Sequence, residues 1–413
     1  MDIDFFYRIL NEDSTSGKEA KLADMLSVEF AAPGRRVELF DVGDGTKNLF
    51  VSWGIPRVIF CTHLDTVPPY ILPSHPESLC PSGSLCSPEQ SLCHPERSEG
   101  SPSSAAAISG RGTCDAKGQI FAMWEACKKL EAKGCTDFGL LLLAGEETGS
   151  FGAKAFNKLV SENPNVLMSS PVILSPSVIL SEAKDLSLQD TWVIVGEPTD
   201  NCMASAAKGT KAFEVVFEGK AFHSGYPEHG RSAVLLFNDF VNALRSIRFP
   251  YDELLGDTTF NIGRLTSDNP QNILSDRLTC RVYFRTTFES DEMVCNVMKN
   301  IAGPDAKLRF GRPRVQDGSD IVAKEVAPWQ EAMAVKAFGG DAPTRFEVLP
   351  GFETKPVSFG SDAPQLHCFG HKILCGPGSI LVAHRPEEYI ELEEIETASA
   401  NYIRMYEAIM NKR

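Results

Sequence analysis

Val58-Ile59-Phe60-Cys61-Thr62-His63-Leu64-Asp65 is an apolar run that ends in an imidazole and a carboxylate. Such a run predicts a buried strand, and α/β sheets carry their ligand-binding groups just beyond the carboxyl ends of strands. The arrangement recurs twice. Phe138 to Leu143 runs into Ala144-Gly145-Glu146-Glu147-Thr148-Gly149-Ser150, and Trp192 to Val195 runs into Gly196-Glu197-Pro198-Thr199. Helix-like stretches, Gln119 to Lys133 and Ala153 to Leu159, lie between the strands. Alternation of this kind predicts an α/β sheet with helices on its faces.

Further along the chain the pattern changes. Paired strand signals, Ala212 to Glu218 and Leu278 to Phe288, surround a helical Ser232 to Ser246, and another helix is expected near Asp291 to Ile301. This predicts a small α+β domain over residues 209–314, inserted in a larger domain made of 1–208 and 315–413. A helical Trp329 to Phe338, a strand around Lys372 to Cys375 and a closing helix from Leu392 to Met410 return to the first style. Two stretches, 73–104 and 169–188, are repetitive and read as loop insertions. Lengthening an exposed loop costs only about 0.6 kcal/mol per doubling, so neither need disturb the core.

A chain of 413 residues, 43% hydrophobic and 23% charged, is long enough for two cores and ordinary for a globular protein. Its 40 basic and 55 acidic side chains give a formal charge of -15, which repels nucleic acid and anionic membranes. Small molecules are the expected partners. The opening Met1-Asp2-Ile3-Asp4-Phe5-Phe6 lacks the basic start and apolar core of a secretory signal, so a cytoplasmic location is expected. The 12 cysteines are scattered through apolar runs and loops and are expected to be mostly buried thiols. Cys80, Cys86, Cys93 and His94 could form a separate zinc site, but their spacing is irregular and their setting repetitive.

Five clusters carry chemistry. His63 followed by Asp65 suits a metal-binding ring oriented by a carboxylate, or simply a surface histidine beside a turn aspartate. Gly110-Arg111-Gly112-Thr113-Cys114-Asp115-Ala116-Lys117-Gly118 opens a helix; Asp115 is an N-terminal loop residue or a carboxylate bridging two cations. Glu146 and Glu147 are adjacent acids that repel unless a cation or a shared proton intervenes. Glu197 ends another strand, and His384 lies late in the chain beside Glu387 and Glu388. Together the clusters supply two imidazoles and three carboxylates, a set suited to a two-metal hydrolytic site.

In their order and surroundings the five clusters resemble the M20 metallopeptidase family, from an opening Ser14-Thr15-Ser16-Gly17-Lys18-Glu19 to His384. The resemblance implies a zinc-peptidase-like catalytic domain with a central mixed sheet flanked by helices, and an inserted α+β ferredoxin-like lid or dimerisation domain. It implies two zinc ions, with cobalt or manganese as substitutes. His63, Asp115 and Glu197 would hold one, and Asp115, Glu147 and His384 the other. Asp65 would orient His63, and Glu146 would be the general base that moves a proton from water to the leaving amine. His223, within Gly219 to Pro227, would stabilise the oxyanion from a partner subunit, which implies a homodimer. Asn272 and Arg285 would face the substrate carboxylate, with Gly360 and Ser361 in a loop near the substrate. Gly110 to Gly118 looks most like the acetylornithine-deacetylase branch, so the expected reaction is hydrolysis of an N-acyl amino acid such as N-acetylornithine. A succinyl-diaminopimelate desuccinylase or a dipeptidase or carboxypeptidase acting on short peptides is the alternative. A rival of another class is a non-catalytic dimeric binding protein.

Overall fold

A computed structural model describes residues 1–74, 107–163, 166–167, 188–310 and 325–412. The expected insertions 73–104 and 169–188 fall almost wholly outside these residues, as does the Cys80, Cys86, Cys93 and His94 cluster. The chain forms two compact units: Met1–Ser205 with Phe346–Lys355 and Ser361–Arg413, and Ala206–Arg345 with Pro356–Gly360.

The first unit is built on a mixed sheet. Its strands β1 (Arg36–Gly43), β2 (Thr46–Ser52), β3 (Val58–His63), β5 (Phe138–Leu143) and β6 (Trp192–Val195) are joined at the edge by His371–Leu374; β4 (Ala107–Ser109) pairs elsewhere, with Tyr389–Glu391. The order is β1-β2-β5-β3-β6 followed by the His371–Leu374 strand. The three central strands are parallel, with His63 level with Leu143 and Cys61 level with Val195. Every residue of β3, β5 and β6 is buried, which requires cover on both faces and explains why they read as continuous apolar runs. The hairpin β1–β2 joins antiparallel through β2 to β5.

Two helices supply much of that cover. Leu392–Met410 buries Ile395, Ala398, Tyr402, Met405 and Ile409, a spacing of three and four that puts one stripe on the core. Lys117–Ala132 is buried from Lys117 to Cys127, because other elements pack around it; Phe6 stacks on its Phe121 at 4.7 Å. The cysteines among the described residues are free thiols, with Cys61, Cys114, Cys127, Cys280 and Cys375 buried. No helix among the described residues is long and apolar enough to cross a membrane.

The second unit follows a strand-helix-strand-strand-helix-strand path: Gly209–Glu218, Ala233–Ser246, Thr259–Thr266, Arg277–Thr286, Asp291–Asn300 and Met333–Gly339. The fourth strand lies beside the first, and all neighbours are antiparallel, which is the ferredoxin-like arrangement. Its core joins Val215, Phe217, Phe240, Leu244, Val282 and Phe284 with Val294 and Met298. Trp329 to Phe338 is a correction. Only Pro328–Glu331 is helical, and Met333–Gly339 is a strand paired with Gly209–Glu218, so this unit extends beyond residue 314. Helix-favouring Ala, Met and Lys residues yield there to the ladder of an open sheet edge and to burial of Met333.

Candidate metal centre

Three adjacent parallel strands end at one edge of the first unit's sheet, and each delivers a ligand group there. His63 is the last residue of β3, Glu146 and Glu147 follow β5 by three and four residues, and Glu197 follows β6 by two. Gly145 takes a left-handed conformation (φ 67°), which lets the chain turn directly from strand into the Glu146-Glu147 pair. Asp115 lies just before the Lys117–Ala132 helix, and His384 sits in the loop after the His371–Leu374 strand, also with a left-handed backbone (φ 63°). A non-glycine residue held there costs energy, and such residues cluster at functional sites.

The side chains interlock. His63 Nε2 lies 3.0 Å from Asp115 Oδ1, and His384 Nε2 lies 3.2 Å from Asp115 Oδ2 and 2.9 Å from Glu147 Oε1. Each oxygen of Asp115 thus faces a different imidazole. Three sets of potential ligand atoms each fall within 4.8 Å of one another: His63 with Asp115 and Glu197, Asp115 with Glu147 and His384, and His63 with Glu146 and Glu147. His63 Nδ1 lies 2.9 Å from the Asp65 main-chain oxygen and 3.5 Å from its carboxylate. Donation from Nδ1 to that carbonyl leaves Nε2 as the free ligand nitrogen.

Asp65 does more than orient a ring. Its Oδ1 accepts from the Glu146 N–H at 3.0 Å, and its Oδ2 accepts from the Glu147 N–H at 3.3 Å and the Ser16 hydroxyl at 2.7 Å. The opening Ser14-to-Glu19 segment therefore braces the carboxylate that holds the Glu146-Glu147 turn.

The electrostatics of this cluster call for positive charge. Burial opposes ionisation of Asp115, yet hydrogen bonds from His384 and His63 hold it well below the usual carboxylate range. Burial also opposes charge on His63, but Asp115 and Asp65 raise it well above an ordinary histidine. Asp115 and then Glu147 raise His384 to about 10. Burial and neighbouring carboxylates push Glu146 and Glu197 well above normal, and burial lifts Asp362 to about 7. Burial and the crowding of carboxylates make Glu146, Glu147, Glu197 and Asp362 hold their protons more tightly, while Asp65 and Asp115 give theirs up beside the two histidines. Divalent cations would supply that missing charge. Spacing agrees: tetrahedral zinc with bonds near 2.0–2.1 Å sets its ligand atoms roughly 3.3 Å apart, close to the 2.9–3.2 Å among these donors.

Of the remaining sequence candidates, His223, Asn272, Arg285 and Gly360 lie in the second unit and Ser361 in the first. His223 is exposed and bridges to Ile273, while Ser224 donates to the Asn272 main-chain oxygen, so His223 and Asn272 are neighbours. Arg285 stands over the Tyr283 ring and beside Gly360, whose added Cβ would lie 3.6 Å from its Nη1. Ser361 is buried in the first unit, and its hydroxyl accepts from the Ala363 N–H. Sequence reasoning assigned no role to Asp362, Ser16, Arg111 or Glu388, although Ser16, Arg111 and Glu388 lie in clusters it singled out and Asp362 directly follows Ser361. Their contacts depend on long-range packing that spacing does not encode.

Residues 90–408 match the model of Peptidase family M20/M25/M40. Among curated proteins, a probable carboxypeptidase of Aspergillus niger is 30% identical over 99% of this chain and 90% of its own. Among solved structures, a tripeptidase of Staphylococcus aureus superposes with a TM-score of 0.67 at 16% identity, covering 99% of this chain and 98% of that one. A dinuclear metal-binding M20 peptidase of Bacillus subtilis does so with a TM-score of 0.55 at 12% identity, covering 99% of each.

Proposed function

Because the chain belongs to peptidase family M20/M25/M40, and is thereby a metal-dependent peptidase or amidohydrolase, we propose that it releases the C-terminal amino acid from short peptides with two zinc ions as cofactor. One observation carries this reading: the two oxygens of Asp115 face His63 and His384, so a single carboxylate is shared by two ligand sets. His63, Asp115 and Glu197 would hold one ion, and Asp115, Glu147 and His384 the other. Cobalt or manganese would substitute. Bound there, the ions supply Lewis-acid polarisation of the scissile carbonyl and lower the pKa of water.

The chain's own residues handle the proton. Glu146 stands beside the ligands, and burial with the charges of Asp362, Glu147 and Asp115 raises its proton affinity. Its carboxylate takes a proton from the attacking water and passes it to the leaving nitrogen. Asp65 holds Glu146 and Glu147 by their main-chain N–H groups, so base and ligand move as one turn. His223 is assigned to the oxyanion, from a partner copy in a homodimer, and Arg285 with Asn272 to the substrate carboxylate, with Gly360 and Ser361 alongside.

The comparisons support a peptide substrate over N-acetylornithine, since the curated relatives are probable carboxypeptidases. Parallel assays with an N-blocked dipeptide, the same dipeptide amidated at its C-terminus, and N-acetylornithine separate the readings. Release of the last amino acid from the free acid, with no turnover of the amide, supports the proposal. Turnover of N-acetylornithine alone replaces it with the deacetylase reading.

A further inference from the structure

We propose that Arg111 and Glu388 form a buried clamp that positions Asp115 and His384 relative to each other, so that both cation sites depend on it. The inference rests on the two-metal reading above. Glu388 is fully buried and Arg111 is 2% exposed, and Arg111 Nη1 donates to Glu388 Oε2 at 2.5 Å. The other oxygen, Oε1, accepts from the main-chain N–H groups of Cys114 at 3.0 Å and Asp115 at 3.1 Å. Glu388 therefore grips the peptide from which the shared ligand springs, while sitting four residues after the ligand His384. Its own main-chain oxygen accepts from the Gly110 N–H at 2.9 Å.

Arg111 extends the grip to a third segment. Its Nε donates to the Pro69 oxygen at 3.3 Å and its Nη1 to the Arg385 oxygen at 3.4 Å. One guanidinium thus touches the chain that follows His63 and Asp65, the chain that follows His384, and the carboxylate holding Asp115. The rigid fork of arginine suits three acceptors in fixed directions, which a lysine ammonium on a flexible stem does not. Stability alone does not account for the pair, because desolvating two charges offsets most of their attraction and an apolar pair commonly serves as well. What the pair supplies is a fixed geometry among three ligand-bearing segments.

The test is a cobalt(II) titration of the metal-free full chain, followed by calorimetry and by the visible absorption of the bound ion, for wild type, Glu388→Gln and Arg111→Lys. Glu388→Gln keeps an oxygen for the two N–H groups but loses the charge opposite Arg111. Arg111→Lys keeps the charge but not the fork. The expected result is unchanged circular dichroism, cobalt affinity weakened by about 10- to 100-fold in both variants, and an altered absorption band. Wild-type affinity and spectrum in both variants overturn the clamp. If Glu388→Gln does not fold, Arg111→Lys decides by the same readouts. Should neither fold, the pair Arg111→Gln with Glu388→Gln, which buries no charge, decides. A wild type that takes up no cobalt overturns the two-metal reading itself; wild-type uptake with unaffected variants overturns the clamp alone.

Discussion

Replacing Asp65 by asparagine removes a charge from a fully buried hub while leaving its size almost unchanged. The carboxylate accepts from the Glu146 N–H at 3.0 Å, the Glu147 N–H at 3.3 Å and the Ser16 hydroxyl at 2.7 Å, with His63 Nδ1 3.5 Å away. An asparagine oxygen can keep the Glu146 bond, but its amide nitrogen then faces Ser16 and Glu147. The Ser16 hydroxyl can rotate to accept; the Glu147 N–H cannot. Losing that bond to a charged group costs about 1.5–3 kcal/mol, and making the other two neutral adds about 1 kcal/mol, for a total near 3 kcal/mol. This cost falls on the turn that carries Glu146, the proposed base, and Glu147, a proposed ligand. At about 1.4 kcal/mol per tenfold, kcat should drop by about a hundredfold. Steady-state kinetics on an N-blocked dipeptide, with zinc content measured on the same samples, reads the effect. A variant that keeps its zinc and a kcat within about threefold of wild type refutes the reasoning, because the turn would then stand without Asp65.

Three further outcomes are expected. Stability of the metal-free protein should fall as pH rises: Asp362 at about 7 and His384 at about 10 are raised above their unfolded values, so the stability they add is present below those unfolded values and lost through about pH 4–7 and 6.5–10. Calorimetric melts in chelator check this, and a melting temperature rising from pH 6 to 10 contradicts it. Zinc loading at neutral pH should release at least about one proton per chain, because ligand imidazoles must give theirs up; titrations in buffers of different ionisation enthalpy that show no release contradict it. Phe240→Ala should destabilise the second unit by about 3–5 kcal/mol, since the ring is fully buried against Phe217 and Trp329; a urea unfolding midpoint unchanged from wild type contradicts it.

The residues at strand ends were legible because a buried parallel strand is continuously apolar and its first polar residue marks the edge where ligands gather. Val58 to His63, Phe138 to Leu143 and Trp192 to Val195 follow that rule, and Leu392 to Met410 shows the stripe of a one-sided helix. Trp329 to Phe338 misled because local preference favours a helix while pairing with Gly209–Glu218 makes most of it a strand. β1 and the Thr259–Thr266 strand went unread, being partly exposed and at a sheet edge, where the apolar signal thins; β2 went unread although nearly all of it is buried. Within the site, the candidate ligands were legible from residue chemistry. The hub at Asp65 and the Arg111–Glu388 pair join segments dozens to hundreds of residues apart, and nothing in local spacing reports such contacts.

The proposed reaction depends on a two-metal centre served by Glu146. Zinc content by mass spectrometry, with hydrolysis of an N-blocked dipeptide, on purified wild type and Glu146→Ala tests it most directly. The expected result is close to two zinc ions per chain in both proteins, with activity lost in the variant. A wild type that holds no zinc and stays inactive after zinc is restored, or a variant as active as wild type, contradicts it.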